Sequence, residues 1–347
     1  MSKKQVVRGG AVIALILLLG LGVLFALVPR VGYCFGAALS QTGDWLFVAA
    51  GYKGLHTFRI TPEGSLRYVS TIYDGGYYRY VEALDGMVLV ANSEQGLMVY
   101  DVSRGSPELV WSQTDSLAYG IHIQDSLAYV AAERHGLHIF DISNPYEPRL
   151  LGSATTSGRA WDVWANGGYA YVADLENGLI TFDVTDPSEP RIVGTITWDP
   201  EFASAEIIDG EGEYVFIASG EHGLHVIGVS ISGDPEIVYH YDPGLDSFGE
   251  GVKVMGDVLY VSVGDRAHPE ENGLHVFDIL DPSSPELIGK FPVTDWVEDV
   301  AGAENRLALT NRWSGVLLFN VGQPGSPELM DTYPEEIWRM LTKYVGW

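Results

Sequence analysis

Three glutamates, Glu206, Glu250 and Glu298, and four histidines, His56, His138, His225 and His275, recur along this chain at regular spacing and carry side chains able to do chemistry. Carboxylates brought together can hold a hard cation such as calcium, or raise one another's pKa for acid–base work. Imidazoles brought together can hold zinc, which needs their nitrogens at ~2.0 Å from one shared centre. The outcome depends on where the backbone points these groups, and their neighbours in sequence define that backbone.

Each histidine follows a Gly-Leu pair, and Gly96-Leu97-Met98, Gly178-Leu179-Ile180 and Gly315-Val316-Leu317 open the same alternating apolar run without a histidine. That makes seven copies whose glycines lie 40 to 50 residues apart, a period belonging to propellers, solenoids and arrays. The copy at 160–197 parses into four short strands, 160–164, 169–174, 179–184 and 191–197. They are separated by Asn166-Gly167-Gly168, a tight loop into Gly178, and a turn marked by Asp186-Pro187 and Pro190. Glycine supplies positive φ in such turns, proline presets φ without a ladder donor, and aspartate bonds its own backbone. Strands this short at this spacing leave no room for helices. The second strands, for example 214–217 and 258–261, are apolar on both faces, which suits sheets sandwiched between neighbours around a channel. The expected fold is therefore all-β: a seven-bladed β-propeller of four-stranded antiparallel blades over residues 36–334. If Gly36 to Ser40 is the first strand of blade one and Pro327 to Tyr333 the fourth of blade seven, the ring closes without a shared strand.

Rotational symmetry separates the two sets of residues. The histidines fall on third strands, away from the axis, each pointing toward its next neighbour, so they do not converge and are expected to pack between blades. On the first strand, Trp161 has as counterparts Ala37, Arg79, Tyr119, Glu206, Glu250 and Glu298, all near one mouth of the channel. Arg79, Tyr119, Trp161, Glu206, Glu250 and Glu298 are thus the predicted binding residues, an asymmetric polar funnel. A hydrated mouth is its simplest content, and calcium is the one ion its acids would suit. The links from each fourth strand to the next first strand hold aromatics, Tyr73, Tyr77, Tyr78, Trp198, Phe202, Phe248 and Trp296, residue types that dominate interfaces and on which sugars stack. The longest second-to-third loop carries Asp265, His268, Glu270 and Glu271 without the spacing of a known metal site, and reads as a solvated loop.

The run 11–28 is eighteen consecutive apolar or glycine residues behind Lys3, Lys4 and Arg8. That length suits a transmembrane anchor better than a cleaved signal, whose apolar core is usually ~7–15 residues. The basic flank, 1–10, should stay cytoplasmic, which exports everything after it. A linker at 29–35 precedes the propeller, and 335–347 reads as a short amphipathic tail with Ile337, Trp338, Leu341, Tyr344 and Val345 at helical spacing. A cleaved signal ending near Gly36-Ala37-Ala38 is the alternative. The one cysteine, Cys34, resembles a lipidation site by position, but Tyr33 is too bulky for the residue before it. A formal charge of −26 repels phosphate backbones and disfavours nucleic acid as a partner.

The run Gly136-Leu137-His138-Ile139-Phe140-Asp141-Ile142-Ser143-Asn144-Pro145 and the run Ala160-Trp161-Asp162-Val163-Trp164-Ala165-Asn166-Gly167-Gly168-Tyr169 resemble the LVIVD repeats of bacterial and archaeal surface proteins. The resemblance implies an exported propeller, often anchored at the surface, with no shared enzymatic reaction. Blade one (Arg59-Ile60-Thr61) and blade five (Gly228-Val229-Ser230) depart from the Asp-Val-Ser pattern, so their turns are expected to be irregular. No HExxH, Walker loop, GxSxG, CxxC or CxxCH occurs. The expected function is a membrane-anchored extracytoplasmic module that docks a membrane-protein partner or a cell-surface glycan through its loop face. The alternative is an exported hydrolase or lyase working at the acidic mouth.

Overall fold

The computed structural model describes residues 33–114, 116–175, 177–197, 205–229, 235–244, 247–265, 268, 272–293, 296–311 and 315–333. The expected transmembrane run and C-terminal tail lie outside these, and among the described residues no helix is long and apolar enough to cross a membrane. Seven sheets, each of four antiparallel strands consecutive in sequence, make the seven blades. Blade one begins with Ala37–Leu39 and blade seven ends with Glu328–Tyr333, so the ring closes without exchanging a strand.

First strands of adjacent blades lie against one another and line the channel. Residues two apart share one face of a strand, and here their place along the strand divides two roles. One column, Ala37, Val81, Ile121, Val163, Ile208, Val252 and Val300, is buried in every blade. The column two residues earlier, by contrast, faces the channel mouth.

Blades are joined by backbone as well as by apolar contact. The loop after the second strand bridges to the start of the next blade's first strand: Gly51 with Tyr78, Glu133 with Ala160, Leu175 with Ala205 and Gly220 with Gly249. All four loop residues have positive φ, including Glu133 at 49° and Leu175 at 36°, where an L side chain is disfavoured unless packing and hydrogen bonds hold it. Their partners are buried, and so are Cys34, Ala118 and Val297 at the same place in the other blades. Cys34 is therefore a small core residue. Its thiol is pushed up to about 12 by burial, which leaves little reactive thiolate in the folded protein near pH 7.

Every third-to-fourth strand pair carries one register shift, between Thr57/Phe58, Val99/Tyr100, Ile139/Phe140, Thr181/Phe182, Val226/Ile227, Val276/Phe277 and Leu318/Phe319. A bulge twists an edge strand and spoils its template for pairing with another chain, and the fourth strand is the outer edge of each blade. Past the bulge, Gly152 and Gly194 let the neighbouring blade in: a Cβ on Gly152 would meet the Pro187 carbonyl at 2.4 Å, and one on Gly194 would meet the Pro235 ring at 3.0 Å. On the turns opposite the mouth, Asp101, Asp141 and Asp183 each accept the amide two residues on, from Ser103, Ser143 and Thr185. Blade one closes instead on Thr61, whose hydroxyl accepts the Ser65 amide. Blade five's turn at 230–234 lies outside the described residues.

Candidate functional site: the channel mouth

In blades two, four, five and six the first strand enters the ring from a hydrogen-bonded bridge to the previous blade, and in each blade the residue after that position stands at the mouth. These residues are Arg79, Tyr119, Trp161, Glu206, Glu250 and Glu298, and all six line one cavity. The seventh is Phe35, correcting the expected Ala37. Phe35 donates its amide to the Ala49 carbonyl at 3.0 Å, as Tyr119, Trp161 and Glu206 donate to Ala131, Ala173 and Ala218, whereas Ala37 lies two residues further down in the core column. The propeller thus begins within the expected 29–35 linker, and Tyr33 donates a hydrogen bond to Glu298 Oε1 at 3.0 Å.

The ring is lopsided. Glutamates come from blades five, six and seven, and aromatic rings from blades one, three and four, gathered on the guanidinium of blade two. The Arg79 carbon lies 3.8 Å from the Trp161 ring centre, 4.9 Å from that of Tyr119 and 5.5 Å from that of Phe35. Such cation–π contacts offset part of the cost of removing a cation from water. Burial pulls the Arg79 pKa down, and the fields of Glu206 and Glu298 oppose that.

Below the mouth lies a second set of channel groups that the sequence reading missed. Burial pushes Glu82 up to about 7 although Lys253 draws it down. It pushes Asp299 up to about 7 as well, against the amides of Ala37 and Val300. Asp162 is raised well above the usual carboxylate range by burial. Burial alone would lower Lys253, but Asp209 and Glu82 outweigh it, and its ammonium sits 2.9 Å from Asp209 Oδ2. Burial takes His122 down to about 4, leaving it neutral near pH 7. Three of these carboxylates also staple blades: Asp162 Oδ2 accepts the Ile208 amide at 3.1 Å, Asp209 Oδ2 the Val254 amide at 2.9 Å, and Asp299 Oδ2 the Ala37 amide at 3.1 Å across the closure. Glu82, His122, Asp209 and Lys253 each follow a mouth residue by three positions, a column visible once the repeats are aligned.

The aromatic loop residues divide. Tyr73 is 50% exposed and Tyr77 is half-buried. Tyr78 departs from the expectation: it is the bridge residue paired with Gly51, fully buried, its hydroxyl 2.7 Å from that of Tyr100. Phe248 and Trp296 are half-buried and pack on each other with ring centres 5.3 Å apart. Trp198 and Phe202 lie outside the described residues. Among the described residues Tyr52, which the sequence reading passed over, is the most exposed aromatic at 61%. Its ring centre is 4.7 Å from that of Tyr77, which is 5.2 Å from Phe35. With Arg79, Trp161 and Tyr119 these form a continuous run from the rim of blade one across the mouth.

The histidines stay apart. His138 Nδ1 lies 3.3 Å from Ser116 Oγ and His275 Nδ1 3.0 Å from Tyr241 Oη, both on the preceding blade, while His225 Nδ1 meets Ser219 Oγ at 3.0 Å and His56 meets Thr71 within their own blades. Burial takes His225 and His275 down to about 4. Among the described residues no group of His, Cys, Asp or Glu is arranged to hold a metal ion. Asp265 instead organises its loop, accepting from Ser247 Oγ at 2.7 Å and from the His268 amide at 2.6 Å. The strand before it runs to Asp265 as Val258–Asp265, and Glu270 and Glu271 lie outside the described residues. A second groove, on the opposite side beside Trp111, is lined by turn residues including the Asp141–Arg149 ion pair at 2.7 Å, whose polar groups already serve the turn.

A search of curated proteins finds no match. Solved structures share the fold at low identity. The computationally designed Ika8 protein has a TM-score of 0.62 at 10% identity, over 86% of this chain and 87% of that one. Sqt1 of Saccharomyces cerevisiae has 0.60 at 12%, over 87% and 86%. A chain of the mitotic checkpoint complex has 0.65 at 12%, over 84% and 89%. The LVIVD repeat model matches residues 117–156, 157–197, 204–242 and 249–293, segments that cover blades three to six. The chain belongs to the LVIVD repeat family, with four matched repeats in a seven-bladed ring.

Proposed function

We propose that this protein is a membrane-anchored, extracytoplasmic docking module that receives a membrane-protein partner on its mouth face. The observation that carries the reading is the aromatic run from Tyr52 through Tyr77 and Phe35 to Arg79, Trp161 and Tyr119. Aromatic and arginine side chains concentrate binding energy at protein interfaces, and here they share one face with a crescent of acids. Because chain direction alternates within each blade, the start of the first blade and the end of the last lie on this same face. A span ending at Val28 would leave five chain steps to Tyr33, about 18 Å when fully extended. A glycan is the weaker occupant: the Trp161 ring, the natural stacking surface for a sugar, is covered by Arg79.

Substituting Tyr52 and Tyr77 together by serine should weaken partner association at least tenfold, measured on full-length protein in detergent. Unchanged association would refute docking by this face. Replacing Glu206, Glu250 and Glu298 together by glutamine separates docking from an exported hydrolase or lyase, since an enzyme would lose turnover while a docking module keeps a partner held on its aromatic side.

A further inference from the structure

Six of the seven seams between blades are crossed by the chain itself, which runs from each fourth strand into the next first strand. The seam between blades seven and one has no such link and rests on contacts alone. The Leu66 amide donates to Asp331 Oδ2 at 2.7 Å, Met330 fills the space a Cβ on Gly64 would take, and Asp299 accepts the Ala37 amide. Three rings also meet there. Tyr333 stacks on Tyr68 with centres 5.9 Å apart and planes 9° apart, and Phe58 meets both edge-on, at 4.7 and 5.9 Å. Tyr68 stands where the other blades carry Leu109, Leu150, Ile192, Ile237, Leu287 and Leu329. It is the one aromatic in that column, yet it is 41% exposed, as is Val69 beside it. Exposed apolar pairs occur on other outer strands too, Ile192 and Val193 for example, so exposure alone marks nothing. This patch is set apart by its aromatic, by the missing link, and by the segment that leaves blade seven beside it.

That segment is 335–347, which starts one residue beyond Tyr333. We propose that it docks on the outer edge of blade one, where its apolar stripe of Ile337, Trp338, Leu341, Tyr344 and Val345 covers Tyr68 and Val69. It thereby spans the one seam that the chain does not otherwise cross. Lengths agree: as a helix the segment would run about 20 Å, and the fourth strand of blade one, Leu66–Ile72, runs about 23 Å. Chemistry agrees as well, since Trp338 and Tyr344 extend a ring cluster already built across the seam, and ring pairs contribute beyond simple burial. Attachment beside the patch makes docking intramolecular, at an effective concentration in the millimolar range for so short a link, an advantage that a free partner or a second copy lacks. The membrane interface is the rival surface for a stripe bearing Trp and Tyr; the seam has the advantage of lying within reach wherever the bilayer is. The inference does not rest on the docking reading of the mouth face.

A photocrosslinker on Val69→Cys, in the full chain in native membranes, tests it, and buried Cys34 adds no background. The product should run as a monomer and map to 335–347 by mass spectrometry. The same probe on Val193→Cys, the matching bulge position of blade four, should not reach that segment. Capture of lipid, of another protein or of a second copy from position 69 would overturn the proposal, and so would no product at all. Unfolding kinetics in denaturant give a second readout that needs no probe. Trp338→Ser with Leu341→Ser should speed unfolding about tenfold, since a strap that forms last in folding acts mainly on the unfolding rate. Val69→Lys should do about the same, and all three substitutions together no more than either alone, because the same contact is lost each time. Val193→Lys should leave the rate unchanged. Unchanged rates for both Val69→Lys and the tail variant, or effects that simply multiply, would refute docking at this seam.

Discussion

Two columns on the same seven strands, two residues apart, behave differently. The inner column reads Ala37, Val81, Ile121, Val163, Ile208, Val252, Val300 and is buried throughout; the mouth column reads Phe35, Arg79, Tyr119, Trp161, Glu206, Glu250, Glu298 and is half-buried throughout. The strand repeats in both, although Arg79, Glu250 and Glu298 sit at register shifts that Phe35, Tyr119, Trp161 and Glu206 lack. Where packing between blades decides the residue, copies converge on small and β-branched side chains. Where the side chain reaches the channel, copies diverge into three chemistries. Divergence within one repeated chain therefore marks where packing stops constraining sequence and where binding specificity is free to arise.

The sharpest way to break this contrast is to truncate both columns on one strand. Ile208→Ala should cost about 2–5 kcal/mol, as large-to-small core changes do, while Glu206→Gln should stay within about 0.5 kcal/mol; chemical denaturation of the two variants checks it. Equal losses would mean the mouth column is structural as well.

A second test uses pH. Burial holds Glu82 and Asp299 up to about 7, above their ordinary values of 4.5 and 3.8. The folded protein therefore keeps protons that the unfolded chain releases, and the stability they confer is present at acid pH and lost as pH rises through 7. Asp299→Asn can still accept the Ala37 amide, and it should flatten this decline by up to about 1.4 kcal/mol per pH unit. Melting curves between pH 5 and pH 8, at about one-unit steps so as to resolve that slope, measure it, and an unchanged slope would rule out Asp299 as a buried titrating group.

Lys253→Met should have a smaller effect. The lysine side chain is 35% exposed to the channel beside Asp209 at 11%, so water screens the pair and its loss should cost about 1–2 kcal/mol, below the 3–5 typical of a dry buried pair. Loss of the full buried-pair value would show a drier channel than this exposure implies. The smallest effect concerns Cys34, which should resist thiol reagents until the protein unfolds, because its buried thiol is pushed up to about 12 and the thiolate is the reactive species. Rapid labelling of native protein would contradict its place in the bridge column.

Much of this architecture was legible from the Gly-Leu period alone, because every blade must solve the same packing problem. Six of the seven mouth residues were legible for the same reason. Phe35 was not, since blade one starts in a run of small residues, Gly36-Ala37-Ala38, that offers no side chain to fix the register. Tyr78 and Tyr77 are adjacent and identical in type, yet one is a buried bridge residue and the other reaches the mouth face; only pairing with Gly51 distinguishes them. The seat of the Asp162 carboxyl was invisible because it depends on a space left by Gly120 in the preceding blade, where a Cβ would lie 2.1 Å from Oδ1. Side-chain contacts across a blade seam differ from copy to copy, as the partners of His138, His225 and His275 show, so the period reveals the frame and conceals the floor of the site.

The central claim is that the two faces differ in use, the mouth face for docking and the turn face for closure of the blades. Cys34 is buried, so single cysteines introduced elsewhere can carry a photocrosslinker without background. Probes at Tyr52 and Tyr77 in native membranes should capture a membrane protein, and probes at Asn144 and Asp186 on the turn face should not. Capture from Asn144 and Asp186 with none from Tyr52 and Tyr77 would contradict the account.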